Sequence, residues 1–168
     1  MSQPAPETPE LTVDEAQERI LASFRPLPAT EVSLDAALGM VIAASVTAGG
    51  DLPPFDNSAM DGYALRFADT AGASNNTPVE LRVMGQAPAG HLADTSVEPG
   101  TALRIMTGAP IPPGADAVIR FEHVIELARD RIAIPRAVGQ RENIRPAGED
   151  ARQGQPLLVP GTRIRPNE

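Results

Sequence analysis

The sequence predicts an α+β fold, mainly β, in which a small α+β module formed by both chain ends carries an inserted β-rich domain. Three observations lead to this prediction. One helical signature stands near the N-terminus, short runs of alternating apolar and polar residues fill the middle, and 18 Pro and 14 Gly among 168 residues punctuate those runs. Apolar residues make up 42% of the chain but aromatic ones only 3%, so the core is expected to be aliphatic.

The first elements follow from local patterns. Residues 1–10 are polar and proline-bearing and predict a disordered tail. Thr12 and Glu15 then have the spacing of a capping box, which predicts a helix that ends before Pro26. The apolar run 40–46 predicts a buried strand.

From residue 49 the chain changes to short alternating runs bounded by turn residues. We therefore expect the inserted β-rich domain to span residues 49–141. The discontinuous α+β module is expected to consist of residues 11–48 and 142–168.

Composition excludes several classes of function. The net charge is −8 and no Lys is present, which argues against nucleic acid as a partner. The absence of Cys excludes disulfides and thiolate zinc sites. Neither a signal peptide nor an apolar run of bilayer length is visible, so no membrane partner and a cytoplasmic location are expected.

The stretch "PPFDNSAMDGYALR", residues 53–66, is the first candidate site. Asp-Gly at 61–62 is typical of a two-residue hairpin turn, and in that case Asp61 would serve the backbone conformation of the turn. The alternative is that its oxygen-bearing side chains hold a hard cation such as Mg²⁺, which takes one or two carboxylates plus substrate phosphates. These side chains are Asp56, Asn57, Ser58 and Asp61.

The second candidate is "RIMTGAPIPPGADAVI", residues 104–119. Thr107 offers a hydroxyl to a ligand oxygen, and Gly108 and Gly114 would let the backbone approach a ligand closely. The alternative is an ordinary turn in a proline-rich loop.

The third candidate is "NIRPAGED", residues 143–150. Arg145 precedes a proline and is expected to be extended. Glu149 and Asp150 form an acidic pair that could bind a cation or supply a base. The alternative is a turn with solvated charges.

Taken together and in this order, the three stretches resemble the N-terminal half of the molybdopterin molybdenumtransferases, the MoeA family that includes the gephyrin E domain. The resemblance covers residues 11–168. It implies an enzyme that inserts molybdate into adenylylated molybdopterin, releases AMP and requires Mg²⁺. It also implies a homodimer whose cleft lies between the β domain of one subunit and a nucleotide-binding-like α/β domain of the other.

The resemblance assigns roles residue by residue. It implies that Asp61, Thr107 and Asp150 line the cleft as catalytic residues. Supporting substrate contacts are expected from Asn57, Ser58 and Arg145, and Mg²⁺ contacts from Asp61, Asp56 and Glu149.

The family continues into an α/β domain and a C-terminal β domain that this sequence does not contain. The Lys, Arg and Ser side chains that would hold molybdate belong to that continuation, so the chain alone is expected to be inactive. Two alternatives stay open: a non-catalytic dimerisation or scaffolding module of a gephyrin-like protein, and a β domain that binds an acidic partner.

Overall fold

A computed structural model describes residues 10–91, 93–128 and 130–168. Apart from Glu10, the predicted tail 1–10 lies outside the described residues. The chain divides into two units, Met1–Ala43 with Pro160–Glu168, and Ala44–Val159. The predicted domain limits at 48/49 and 141/142 remain a proposal about the family domains, distinct from this division.

The first unit contains helix α1 (Val13–Leu21) and a short 3₁₀ helix (Leu34–Ala36). The predicted capping box is present: the Thr12 amide donates to Glu15 Oε2 at 2.9 Å, and the Glu15 amide donates to Thr12 Oγ1 at 3.3 Å. None of the helices in the described ranges has the length and apolar content needed to cross a bilayer.

The buried strand predicted for residues 40–46 is wrong. Val41 forms only an isolated bridge with Arg163, and strand β1 begins at Val46. Both valines are exposed, Val41 at 59% and Val46 at 40%. Residues 40–46 are mostly apolar, yet all of them except the half-buried Ile42 are exposed, so apolar composition does not lead to burial here.

The described residues of the second unit form three sheets, and the predicted mainly-β α+β fold is confirmed. Two sheets have two strands each, β1 with β10 and β2 with β9. The third has six strands in the order β6-β3-β5-β4-β8-β7, antiparallel except for the β4–β5 pair. The strands are β1 (Val46–Thr47), β2 (Asn57–Ser58), β3 (Gly62–Leu65), β4 (Val79–Ala87), β5 (Thr101–Ile105), β6 (Ala117–Arg120), β7 (Ile125–Ala128), β8 (Arg131–Ile134), β9 (Ile144–Arg145) and β10 (Pro156–Leu158).

The six-stranded sheet is curled into an open barrel. Its edge strands β6 and β7 are five strand spacings apart, which is about 24 Å in a flat sheet. Yet five residue steps, from Arg120 to Ile125, join them, and five extended steps reach at most about 18 Å. Moreover, Tyr63 on β3 donates its hydroxyl hydrogen to Glu126 Oε1 on β7 at 3.0 Å. The two edges are therefore close in space.

Aliphatic side chains fill the inside of the barrel, as the composition predicted. The inner cluster consists of Tyr63, Leu65, Leu81, Ala102, Ala117, Ile119, Ile132, Ile134 and Val138. A second cluster packs on the outer face of β3, β5 and β6 and includes Ala64, Ile105 and Val118. Ala109 from the loop after β5 belongs to this outer cluster, so the cluster anchors the second candidate stretch to the barrel wall.

The predicted Asp-Gly hairpin turn is also wrong. Neither Asp61 nor Gly62 has a positive φ, and the residues before them pair with β9 instead of β3. Gly62 begins β3, between β5 and β6. A Cβ at this position would lie 2.0 Å from the carbonyl oxygen of Ile119. Glycine is thus required by the close approach of a neighbouring strand.

Candidate functional site

Backbone hydrogen bonds bring the three candidate stretches together within the second unit. Ser58 connects the first to the second: its amide donates to the Ala109 carbonyl at 3.0 Å, and its carbonyl accepts from the Gly108 amide at 2.8 Å. The Ala59 amide donates to the Asn143 carbonyl at 2.9 Å, which connects the first stretch to the third. Segments far apart in sequence thus form one continuous local structure.

Asp61 and Thr107 form the most direct contact between predicted site residues. One carboxylate oxygen of Asp61, Oδ1, accepts from both the amide and the hydroxyl of Thr107, at 2.7 and 2.8 Å. These two bonds hold the pKa of Asp61 below its usual value, with a smaller contribution from the positive charge of Arg104. At neutral pH the carboxylate is ionised, which suits a cation ligand better than a proton acceptor.

Asp56 is held by the third stretch. Its Oδ1 accepts from the Ala147 amide at 2.8 Å, and its Oδ2 accepts from Arg141 at 3.0 Å. These bonds lower the pKa of Asp56, with the amide as the larger cause. Both of its oxygens therefore already have protein partners.

Arg145 binds both members of the acidic pair. Its Nε donates to Glu149 Oε2 at 2.7 Å, and its Nη2 donates to the two oxygens of Asp150 at 2.7 and 2.8 Å. The hydrogen bonds that Arg145 donates to Glu149 and, as the second cause, to Asp150 raise the pKa of Arg145. The Asp150 amide donates to the Leu52 carbonyl at 2.8 Å, so the pair is attached to the start of the first stretch.

Asn57 and Ser58 lie in β2, opposite Arg145 and Ile144 of β9. Both are buried, and the Ser58 hydroxyl donates to the Met60 carbonyl at 2.6 Å. Their observed contacts hold the loop that carries Asp61, and their predicted substrate contacts remain a prediction.

The charged residues divide into separate groups. Across 10–91, 93–128 and 130–168, no three Asp, Glu or His side chains are close enough together to hold a metal ion by themselves. Asp61 fits Mg²⁺ as a single carboxylate, since Oδ2 receives no hydrogen bond from any described residue and the ion accepts the remaining ligands from phosphate and water. Asp56 and Glu149 contact arginines, and that arrangement weighs against the metal role predicted for them.

Sequence reasoning missed two arginines. Arg141 pairs with Asp56 across 85 positions of sequence, and no local signal predicts such a contact. Arg104 could have been predicted from the sequence, because it lies three residues before Thr107 in an alternating run. Its positive charge contributes to the lowered pKa of Asp61. Its register partner on β3 is Tyr63, so both face the inside of the barrel.

Comparison with known proteins supports the resemblance. Residues 11–168 match the family described as the MoeA N-terminal region (domain I and II). A molybdopterin molybdenumtransferase of Staphylococcus aureus (strain Mu50 / ATCC 700699) is 40% identical over 156 residues, covering 93% of this chain and 37% of the relative. The protein of the same name from Synechococcus elongatus is 41% identical over 159 residues, covering 93% and 39%. The chain thus spans about two-fifths of the length of the curated relatives it matches.

Solved structures agree. A crystal structure of a molybdopterin biosynthesis MoeA protein from Pyrococcus horikoshii OT3 superposes with a TM-score of 0.78 at 42% identity, covering 81% of this chain and 36% of the other. A second MoeA crystal structure gives a TM-score of 0.77 at 34% identity, covering 93% and 40%. On the family match and these similarities, the chain belongs to the MoeA N-terminal family, with both family domains I and II represented.

Proposed function

We propose that this chain supplies the acidic part of the active site of a molybdopterin molybdenumtransferase, which inserts molybdate into adenylylated molybdopterin and releases AMP. The observation that carries the proposal is the contact between Asp61 and Thr107 at the point where the three stretches meet. Asp61 is an ionised carboxylate held by two hydrogen bonds, and the buried residues Asn57 and Ser58 hold its loop. Such a group is preorganised for a charged substrate.

In this proposal each residue has a separate task. Asp61 is the carboxylate that would hold Mg²⁺, and Thr107 keeps its orientation through Oδ1. Arg145 holds Asp150 and Glu149 in place. When bound, the ion would neutralise negative charge on the phosphate oxygens of the leaving AMP.

The proposal includes a homodimer in the cytoplasm, with the site completed by an α/β domain of the second subunit. The dimer and the location follow from the family resemblance, and the relatives, of which this chain spans about two-fifths, are long enough to include the further domain that the shared site requires. Carboxylates alone repel a phosphate-bearing substrate, so the proposal assigns the molybdate-binding groups to the α/β domain of the second subunit.

The test uses a chimera in which residues 11–168 replace the matching region of the Staphylococcus aureus relative. Asp61→Asn should retain the acceptor for Thr107, because the side-chain amide keeps one oxygen, but it removes the charge. We expect a loss of molybdate-dependent AMP release of about 100-fold or more, with unchanged thermal unfolding. Asp130→Asn is the matched control, since among the described residues the Asp130 side chain forms only an exposed pair with Arg82 at 3.5 Å. Normal AMP release by Asp61→Asn would contradict the proposal.

The second arm uses the 168-residue chain alone with adenylylated molybdopterin, Mg²⁺ and molybdate. We expect no AMP release above the uncatalysed rate, because positioning contributes roughly 7–11 kcal/mol to catalysis and half a site lacks it. Release at the rate of the active chimera would refute the shared site. Normal dimer assembly by an inactive chimera would favour the scaffolding alternative.

A further inference from the structure

One end of the open barrel contains a cavity of about 670 Å³ that the residues discussed above do not explain. We name it the barrel mouth. Its lining includes three apolar side chains, Val83, Leu127 and Ile132, and three polar ones, Tyr63, Arg104 and Glu126. Its volume falls within the range of about 300–1,000 Å³ that is usual for small-molecule sites, and the mouths of β-barrels are frequent locations for them.

The cavity has a structural cause in strand β4. The register between β4 and β5 shifts between Val83 and Gln86, so Met84 and Gly85 have no register partner on β5. Such a bulge bends a strand locally. Side chains from neighbouring strands consequently leave a space at this end, whereas the rest of the barrel is filled by the inner cluster.

Arg104 is available to an anion. Its guanidinium carbon lies 5.6 Å from the centre of the Phe121 ring, an arrangement in which the ring supports the cation and the N–H groups at its edge stay accessible. Among the described residues no carboxylate lies within 4.0 Å of its nitrogens. A phosphate matches the fork of N–H donors that a guanidinium presents.

Glu126 supplies a negative charge to the lining of the same cavity. The Tyr63 hydroxyl donates to its Oε1 at 3.0 Å, which fixes the carboxylate. Its Oε2 receives no hydrogen bond within the part of the chain that the structure describes. This oxygen is therefore an acceptor for a ligand N–H group.

The combination restricts the ligand. A simple anion would use Arg104 but face the charge of Glu126, and a neutral apolar molecule would leave both charges without a partner. A flat, nitrogen-bearing ring with a phosphate attached satisfies the cation, the acceptor and the apolar lining residues at once. We propose that the barrel mouth binds a phosphate-bearing nitrogen heterocycle, with the phosphate at Arg104 and a ring N–H at Glu126.

This inference rests on the proposed function and deepens it, because the adenine and the pterin of the proposed substrate both carry phosphate. The position is suitable, since Arg104 acts on Asp61 and the Asp61 carbonyl accepts from the Phe121 amide at 3.1 Å. A heterocycle in the mouth would thus have its phosphate on the Asp61 side.

The test is an NMR titration of the ¹⁵N-labelled 168-residue chain with four probes: AMP, a pterin monophosphate, adenosine and inorganic phosphate. We expect at least one phosphorylated heterocycle to bind at least about tenfold more tightly than adenosine or phosphate, with shifts centred on β3, β5 and β7. AMP binding alone would assign the mouth to adenine, and pterin phosphate binding alone would assign it to the pterin.

Arg104→Gln should weaken that binding by about tenfold or more, because a hydrogen bond to a charged group is lost. Glu126→Gln should weaken it less, since one oxygen acceptor remains. Arg82→Gln is the control, because Arg82 neighbours Val83 on β4 but points away from the barrel interior, and binding should not change. Arg104→Lys checks the fold, since it keeps the charge on a similar stem.

Several results would overturn the inference: binding of neither heterocycle, equal binding of inorganic phosphate, or unchanged affinity in Arg104→Gln. None of these would affect the loss of AMP release expected for Asp61→Asn in the chimera. Conversely, normal activity of Asp61→Asn would refute the proposed function and leave the titration result valid.

Discussion

Replacement of Gly62 by Ala tests why the most distinctive stretch of the sequence contains Asp-Gly. The added Cβ would lie 2.0 Å from the Ile119 carbonyl oxygen and 2.9 Å from its carbonyl carbon. Ordinary contacts of a Cβ begin near 3.4 Å, so the two strands would have to separate by 3.4 − 2.0 = 1.4 Å. Ile119 is fully buried and paired with Tyr63, and it has no room to withdraw.

The magnitude follows from this geometry. Overpacking of a filled core costs about 1–3 kcal/mol, and each weakened β3–β6 hydrogen bond adds about 0.5–1.5 kcal/mol. We expect Gly62→Ala to lower the free energy of unfolding by about 3 kcal/mol. For a chain of this size that corresponds to a decrease in Tm of about 6–12 °C.

The measurement is thermal and urea unfolding followed by circular dichroism, with Gly49→Ala as the matched control. A Cβ on Gly49 would meet no atom within 4 Å, and this glycine has no positive φ, so its change should stay within about 0.5 kcal/mol. Gly62→Asn separates the two explanations, because Asn adopts a left-handed turn conformation readily but still has a Cβ. Wild-type stability of either Gly62 variant would refute the close-approach explanation, and a stable Asn variant beside a destabilised Ala variant would restore the turn.

Three further predictions concern the site. Thr107→Val should raise the pKa of Asp61 toward its usual value, because one of the two hydrogen bonds that lower it is lost, whereas Thr107→Ser should leave the pKa of Asp61 unchanged. NMR titration of the Asp61 carboxyl group measures this pKa in both variants, and equal values would contradict the role of the Thr107 hydroxyl. Asp56→Asn should flatten the dependence of stability on acid, because the folded pKa of Asp56 lies below its usual value. Its contribution to stability is therefore present above the usual aspartate pKa and is lost as the pH falls through the folded pKa, so urea unfolding at about pH 5 and about pH 2 should show a larger loss for the wild type than for the variant. Asp150→Asn should reduce AMP release by the chimera and change stability by less than about 1 kcal/mol, since its pair with Arg145 is exposed; a collapse of thermal stability with normal activity would make Asp150 structural.

Features with a short-range cause could be predicted from the sequence. The capping box is complete within four consecutive residues, Thr12 to Glu15, and it forms as the spacing predicts. The mainly-β character follows from alternation within single runs. The order of the three stretches along the chain was sufficient to identify the family, because recognising that order needs no knowledge of the contacts between them.

Features set by tertiary contacts were missed or misread. Asp-Gly at 61–62 fits a hairpin turn as well as a strand start, and only the position of the Ile119 carbonyl distinguishes the two. Likewise, the partner of Asp56 is Arg141, which lies 85 positions away. The second half of the chain contains several other arginines, and the sequence does not indicate which of them pairs with Asp56. Local pattern identified Asp61 and Thr107 as candidates, but their direct bond depends on how β3 and β5 pair.

The way the three stretches are joined has a consequence for the order of events during synthesis. Ser58 and Ala109 are about 50 positions apart, and Asp56 and Ala147 are 91 apart, so nearly every bond that fixes the Asp61 loop closes a long segment of chain. Such contacts form late, because closing a long segment costs chain entropy and the packing of the barrel has to offset that cost first. On a ribosome, the loop lacks its last anchors until the segment around residue 151 has emerged. A nascent chain arrested before that point should therefore contain a folded barrel wall, while the loop that carries Asp56 and Asp61 lacks its contacts with the third stretch. Limited proteolysis of arrested chains should show this loop becoming protected as the third stretch is added.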